Sequence, residues 1–437
     1  MEKFALLGIA LLGFVLPSSG ASFYPTRLED SKAVYLTPDQ FPVHADGKAD
    51  DSEAIQAAIN KVQETTGWGI AFVPAGRYRI TRTIYVWPGV RVIGYGATRP
   101  VFVLADGTPG FQQGIGDMFF FTGFRPRGGS SARPLTPPGT VPENLTIADA
   151  NPGTFYSAMS NVDFEIGRGN PAAVAVRCHA AQHAFLTHID FHTGSGLAGI
   201  HDVGNEGEDL HFYGGRYGIL TKKPSPAWQY TLLDSTFDGQ REAAIRENEA
   251  GLTLVHNEFK NVPTAISIDS GYSDQLWVKD ARFENISGPA ILISNEDSRM
   301  TQINAEDIVC AHVPVFARFR ESGKQIAGAG ETYKVKVFSH GLTLAGLGAQ
   351  GESKTGFQAA PLNSLPPAGP NAIPASPPAN EWVNLRSLGV KGDGVTDDTA
   401  AIQKAIAGHR VLYVPSGRYI VTDSITLRPD TVLIGLH

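Results

Sequence analysis

Between Phe155 and Phe316 the chain repeats with a short period, and no other feature limits its possible folds as strongly. An apolar anchor recurs at Phe164, Phe191, Phe212, Phe237, Phe259, Phe283 and Ile308, at spacings of 21 to 27 residues. Three residues before each anchor stand Asn161, His188, Asp209, Asp234, His256, Asp280 and Ala305. A short apolar strand follows each of the first six, beginning at Ala173, Gly199, Gly218, Ala244, Ala265 and Ala290. Several short strands in a unit of this length are the mark of a solenoid. One coil cannot bury its own inward side chains. Stacked coils bury them as ladders of like residues about 4.8 Å apart. Leucine-rich repeats share the period, but their Leu-x-x-Leu-x-Leu consensus is absent.

Bulk properties agree. Gly (48) and Pro (29) are abundant and charged residues make up only 18%, which suits a turn-rich all-β chain and not a helical bundle. A net charge of −7 and a pI near 6.0 argue against nucleic acid or an anionic membrane as partner.

A second kind of repeat lies outside the coils. Asp46-Gly47-Lys48-Ala49-Asp50-Asp51-Ser52 with Ala54-Ile55-Gln56 recurs as Asp393-Gly394-Val395-Thr396-Asp397-Asp398-Thr399 with Ala401-Ile402-Gln403. Val73-Pro74-Ala75-Gly76-Arg77-Tyr78 recurs as Val414-Pro415-Ser416-Gly417-Arg418-Tyr419. Two phrases in one order are an internal duplication. Each copy reads as a turn, a short helix capped by the Asp pair, and strands.

These phrases resemble the opening of the pectate-lyase superfamily. Two of them in one chain resemble the tandem β-helix exo-1,3-glucanases (laminarinases, glycoside hydrolase family 55) and related bacterial proteins. The resemblance implies an all-β, right-handed, single-stranded parallel β-helix with a short N-terminal capping helix. It also implies a linker and the start of a second β-helix. The expected boundaries are a signal peptide over 1–21, a first β-helix over 22–350, a Pro-rich linker over 351–380, and the first turn of a second, incomplete helix over 381–437.

The leader reading rests on Lys3, an apolar run from Phe4 to Leu16 that is too short to span a bilayer, and the small residues Ser18 to Ala21. A secreted or periplasmic location follows. Cys178 and Cys310 fall about five coils apart, roughly 25 Å at strand spacing, so two free thiols are expected.

The strand ladder is interrupted in one place. The apolar column reads Val174, Ile200, Ile219, Ile245, Ile266 and Ile291, and two residues past it the coils read Val176, Asp202, Thr221, Glu247, Ile268 and Ile293. Burying unpaired carboxylates costs several kcal/mol, so the strand ends there or the groups pair. Asp202 and Glu247 lie two coils apart, about 9.6 Å between backbones, which brings their carboxyls within reach of an inverting pair. His201, Lys222, Arg246, Trp228, Glu206 and Asp209 are the associated substrate-binding candidates. Ordinary turns with solvated charges are the plainer reading of the same residues.

Motifs of other chemistries are missing. The Asn-Thr-Asp, Gly-His-Gly and Arg-Ile-Lys of polygalacturonases are absent, as are Walker, dinucleotide, zinc and Gly-x-Ser-x-Gly signatures. The resemblance implies a glycoside hydrolase acting on a polysaccharide, β-1,3-glucan-like or pectic. Its cleft would lie between two helices and its proton donor on the second, beyond His437, so the chain as given is expected to be inactive. No cofactor is expected. A calcium-dependent lyase is the alternative, with Asp202, Glu206, Glu208 and Asp209 as the calcium cluster and Lys222 or Arg246 as base. A non-catalytic glycan-binding or structural module is the other.

Overall fold

The computed structural model describes residues 21–124, 147–151, 153–222 and 229–437. The expected leader lies almost wholly outside them, and so does Trp228. Among the described residues no helix is long and apolar enough to cross a membrane.

The chain winds into a right-handed parallel β-helix with three faces. Each coil lays one strand on the first face, for example Leu252–Val255, and one on the second, Glu258–Lys260. A third strand, such as Ile266–Ile268, completes the circuit on a separate ten-stranded sheet, the third face. The first two faces meet at a sharp corner. The residues there, Asn161, His188, Asp209, Asp234, His256, Asp280 and Asp307, have φ between 48° and 58°. Asn, Asp and His are the side chains enriched in this left-handed region. The polar column three residues before the anchors is therefore a backbone requirement.

The anchors stack as expected. Ring centroids are 4.8 Å apart for Phe191 and Phe212, 4.5 Å for Phe212 and Phe237, 5.0 Å for Phe237 and Phe259, and 5.2 Å for Phe259 and Phe283. The last coil departs from the reading. Cys310, not Ile308, pairs with Phe283, and Asp307, not Ala305, takes the corner. The corner geometry selects Asp over Ala, which shifts the assignment by two residues. Both cysteines are free and buried, and burial pushes each thiol up to about 12.

Helix α1 (Ser52–Thr66) closes one end of the solenoid, with Ala54, Ile55, Ala58, Ile59 and Val62 buried. At the other end Thr332–Thr343 pairs antiparallel with Gln302–Ala311. Glu352–Pro361 pairs antiparallel with Thr332–Thr343 in turn. Ten residues of the expected linker, Glu352–Pro361, are thus strand, because Phe357 and Ala359 alternate onto the core.

The duplicated segments fold alike. Val383–Asn384, Val411–Tyr413 and Val432–Ile434 pair in parallel as Val34–Tyr35, Gly69–Pro74 and Val90–Tyr95 do. The second aspartate of each pair does not cap its helix. Asp51 accepts from the backbone N–H of His44 (2.7 Å) and Ala45 (3.0 Å), and Asp398 accepts from Lys391 (2.7 Å) and Gly392 (2.8 Å). Each clamps the preceding loop. The second copy packs on the first through an apolar cluster that joins Tyr413 and Leu436 to Tyr35, Phe72 and Ile93. Arg91 donates to the Leu436 carbonyl at 2.6 Å across that contact.

Candidate functional site

The site is built on the third face, where side chains alternate in and out. Val176, Ile200, Ile219, Ile245, Ile266 and Ile291 stack inward in register. Val174 was expected in that column. It lies instead beside Ala198 in a small outer cluster with Tyr217 and Ala243. The neighbouring outward column reads Arg177, His201, Leu220, Arg246, Ser267, Leu292 and Arg318.

Asp202, Thr221 and Glu247 do fall at matching places on three successive coils. Asp202 turns out of its strand with φ 53° and is 1% exposed, while Glu247 is 0% exposed. Asp202 Oδ2 lies 2.9 Å from Arg177 Nη2 and 3.8 Å from Lys222 Nζ. Glu247 Oε2 accepts from Ala250 N–H at 3.0 Å, and its side chain meets Asp274. Burial raises both carboxyls, Asp274 to about 6 and Glu247 well above its ordinary range, so the pair retains a proton. Neither Asp202 nor Glu247 presents a surface to a sugar. The arrangement supports internal pairing for both, with partners that sequence spacing did not reveal.

What converges is a cluster centred on Arg177. Its Nε donates to Asp149 Oδ1 (3.1 Å) and its Nη2 to Asp149 Oδ2 (2.8 Å). Its Nη1 lies 3.2 Å from His201 Nδ1, which is 3.4 Å from Asp117 Oδ1. His179 Nδ1 reaches Asp149 Oδ2 at 3.2 Å. Burial raises Asp149, but His179 and Arg177 outweigh it and hold the carboxyl below its usual range. Of the expected residues, His201, Asp202 and Lys222 belong here. Asp117, Asp149, Arg177 and His179 were missed. Arg177 was readable as the outward partner of His201 once its coil is set in register; Asp149 comes from a turn with no periodic signal.

Asp149, His179 and Asp202 place ligand atoms within 4.8 Å of one another. The Arg177 Nη2 donor already lies against both carboxylates, where a cation would sit. The expected calcium set does not assemble either. Asp209 lies at the corner of the first two faces, held by His188 (2.7 Å) and His211 (2.9 Å), and Glu206 is exposed on the first face. These residues do not fit a calcium site.

Further along the same face lies a groove of about 550 Å³ lined by Tyr217, Arg246, Ser267, Asp269, Tyr272 and Arg320. Arg246 donates to Asp269 Oδ1 (2.8 Å) and to Tyr217 Oη (3.1 Å). Arg320 is anchored by the Ile268 carbonyl (2.8 Å) and Ser267 Oγ (3.0 Å). Among the described residues, no carboxylate lies within ion-pair distance of Arg318 or Arg320. Tyr272 is 41% exposed. A fixed guanidinium with an open edge beside an exposed ring suits a planar anionic group on a sugar.

The family match agrees with this architecture. A glucan 1,3-beta-glucosidase from Cochliobolus carbonum is 24% identical over 95% of this chain and 54% of its own length. A non-secreted LysM effector, LysM19, from Penicillium expansum is 21% identical over 96% of this chain and 34% of its own. The chain thus spans about half the length, or less, of these curated relatives. Among solved structures, the catalytic unit of a GH87 alpha-1,3-glucanase from Streptomyces thermodiastaticus aligns over 69% of this chain and 58% of that one, with 12% identity and a TM-score of 0.44. A family profile described as rhamnogalacturonase A/epimerase, pectate lyase-like, matches residues 39–267 and 382–436, which takes in both copies of the duplicated motif. The chain belongs to this rhamnogalacturonase A/epimerase, pectate lyase-like family.

Proposed function

We propose that the protein is a secreted glycoside hydrolase that grips an acidic polysaccharide along its third face. The observation that carries this reading is the groove that holds Arg246 and Arg320, with Arg318 further along the outward column of Arg246. From Arg246 to Arg318 is three coils, about 14 Å, a length that suits a sugar chain better than a single sugar. Arg320 and Arg246 would hold a carboxylate or sulfate, and Tyr217 and Tyr272 would pack on ring faces. Asp149, kept ionised by His179 and Arg177, is the carboxylate placed to orient a water. The relative named as a glucan 1,3-beta-glucosidase supports the hydrolytic class.

A lyase is the second reading, favoured by the excess of cations over free carboxylates in the same groove. One assay separates the two. The protein is incubated with rhamnogalacturonan, polygalacturonate, xylan and β-1,3-glucan, and products are followed by reducing ends and by ultraviolet absorbance. New reducing ends without absorbance support the hydrolase. An unsaturated, absorbing product supports the lyase. Turnover of β-1,3-glucan alone, unchanged in an Arg320→Ala variant, overturns the acidic-substrate assignment.

A further inference from the structure

The second face carries a different surface that the proposed function does not use. Immediately before the anchors, Asp163, Asp190 and His211 stand side by side on adjacent coils, pointing outward. Immediately after them, Glu165, His192 and Tyr213 form a parallel row. Arg99 Nη1 bridges Asp163 Oδ1 (3.2 Å) and Asp190 Oδ1 (2.8 Å) from below. The Asp163 side chain is 2% exposed, yet its Oδ2 has no hydrogen-bond partner. Beside these rows lies a groove of about 440 Å³ lined by Val103, Asp106, Glu165, His192, Gly194 and Tyr213.

We infer that this second-face groove is an accessory binding site for a neutral oligosaccharide, separate from the third face. Three features point to that ligand class. First, Tyr213, 37% exposed, is stacked face to face on His192 at 4.9 Å and 11°, which fixes its ring and leaves its edge and phenol to the groove. Burial holds His192 below its ordinary pKa, so this stack carries no charge near neutral pH. Second, the groove carboxylates are already answered. Glu165 takes both guanidinium nitrogens of Arg77, and Asp106 pairs with Arg168 at 3.0 Å. Such pinned oxygens keep lone pairs for sugar hydroxyls while leaving no free cation for an acidic sugar. Third, the Tyr213 phenol makes no hydrogen bond among the described residues, which leaves it to a ligand.

The inference rests on the polysaccharide reading only for the class of ligand, and its test needs no turnover. Titration calorimetry of the whole chain with a β-1,3-glucan hexasaccharide and with a galacturonate hexasaccharide is the experiment. Tyr213→Ala is expected to weaken the neutral probe at least tenfold and Tyr213→Phe, which loses only the phenol, severalfold, with Arg320→Ala leaving it unchanged. Thermal unfolding confirms that the variants fold, as an exposed ring should permit. Absence of neutral-probe binding, equal binding by wild type and Tyr213→Ala, or loss of that binding in Arg320→Ala each overturns the site. Failure of catalysis with neutral binding intact would strike the proposed function alone.

Discussion

The second and third faces share one backbone plan and one core, and both close their groove carboxylates with arginines, yet the third face adds arginines that no carboxylate answers. On the second face each carboxylate of the groove is closed by an arginine, and Arg99 is closed in turn by Asp163 and Asp190. On the third face Arg318 and Arg320 stand without carboxylate partners among the described residues. The difference teaches where a β-helix stores fold and where it stores chemistry. Inward columns are ladders of Phe and Ile on most coils, so the outward columns can change chemistry from one coil to the next without disturbing register.

The strongest test of the shared core is Phe237→Ala. This ring is fully buried between Phe212 and Phe259. Its loss is expected to cost about 3–5 kcal/mol in denaturant unfolding. Binding on both faces should fall together. Loss on one face only would show that the faces unfold as separate units.

Arg99→Met comes next and should separate the faces. It leaves Asp163 and Asp190 buried without their cation, a change worth about 3 kcal/mol or more. Adding Asp163→Asn and Asp190→Asn should restore much of the loss. Third-face binding should be unaffected in the folded fraction, and a parallel loss there would break the comparison.

How much of this was legible beforehand differs by column. The Phe ladder was readable because an inward position admits one residue type at a fixed spacing. The Asp, His and Asn column was visible too, but its cause is backbone conformation, which only the φ values reveal. Asp163, Asp190 and His211 each directly precede an anchor, so the second-face row was within reach of the same alignment and went unread. Arg99 and Asp149 come from turns and leave no periodic trace. Asp202 and Glu247 were found as breaks in the ladder, but their partners Arg177 and Asp274 lie on other coils, and a two-residue slip at Ala173 hid the first of them.

Acidity provides the third test, because each face has a buried carboxyl with a raised pKa behind it. Burial and Asp190 lift Asp163 to about 6, and burial lifts Asp274, beside Glu247, to about 6. A folded pKa above the unfolded value means the native state binds more protons. The associated stability is complete below about pH 4 and is lost as pH rises through about 6. Each site should contribute up to about 3 kcal/mol of that loss. Asp163→Asn should flatten the second-face part of the profile and Asp274→Asn the third-face part. A wild-type stability that rises steadily from pH 4 to 7 would contradict both.

The finest comparison concerns Arg246, the one expected binding residue that lines the third-face groove. Its guanidinium holds Asp269 through Nε and Nη2 and Tyr217 through Nη1, and its side chain is 40% exposed. Arg246→Lys keeps the charge but loses the planar fork. If the groove reads a carboxylate or sulfate by bidentate contact, affinity for a galacturonate hexasaccharide should drop about tenfold, or about 1.4 kcal/mol. If only net charge matters, Lys should bind as well as Arg, and raising salt should weaken both alike. Neutral-probe binding on the second face should not change in either case. Arg246→Ala must exceed the Lys effect for the side chain to be a contact at all; equal, small effects of both would move the anionic grip to Arg320 and Arg318.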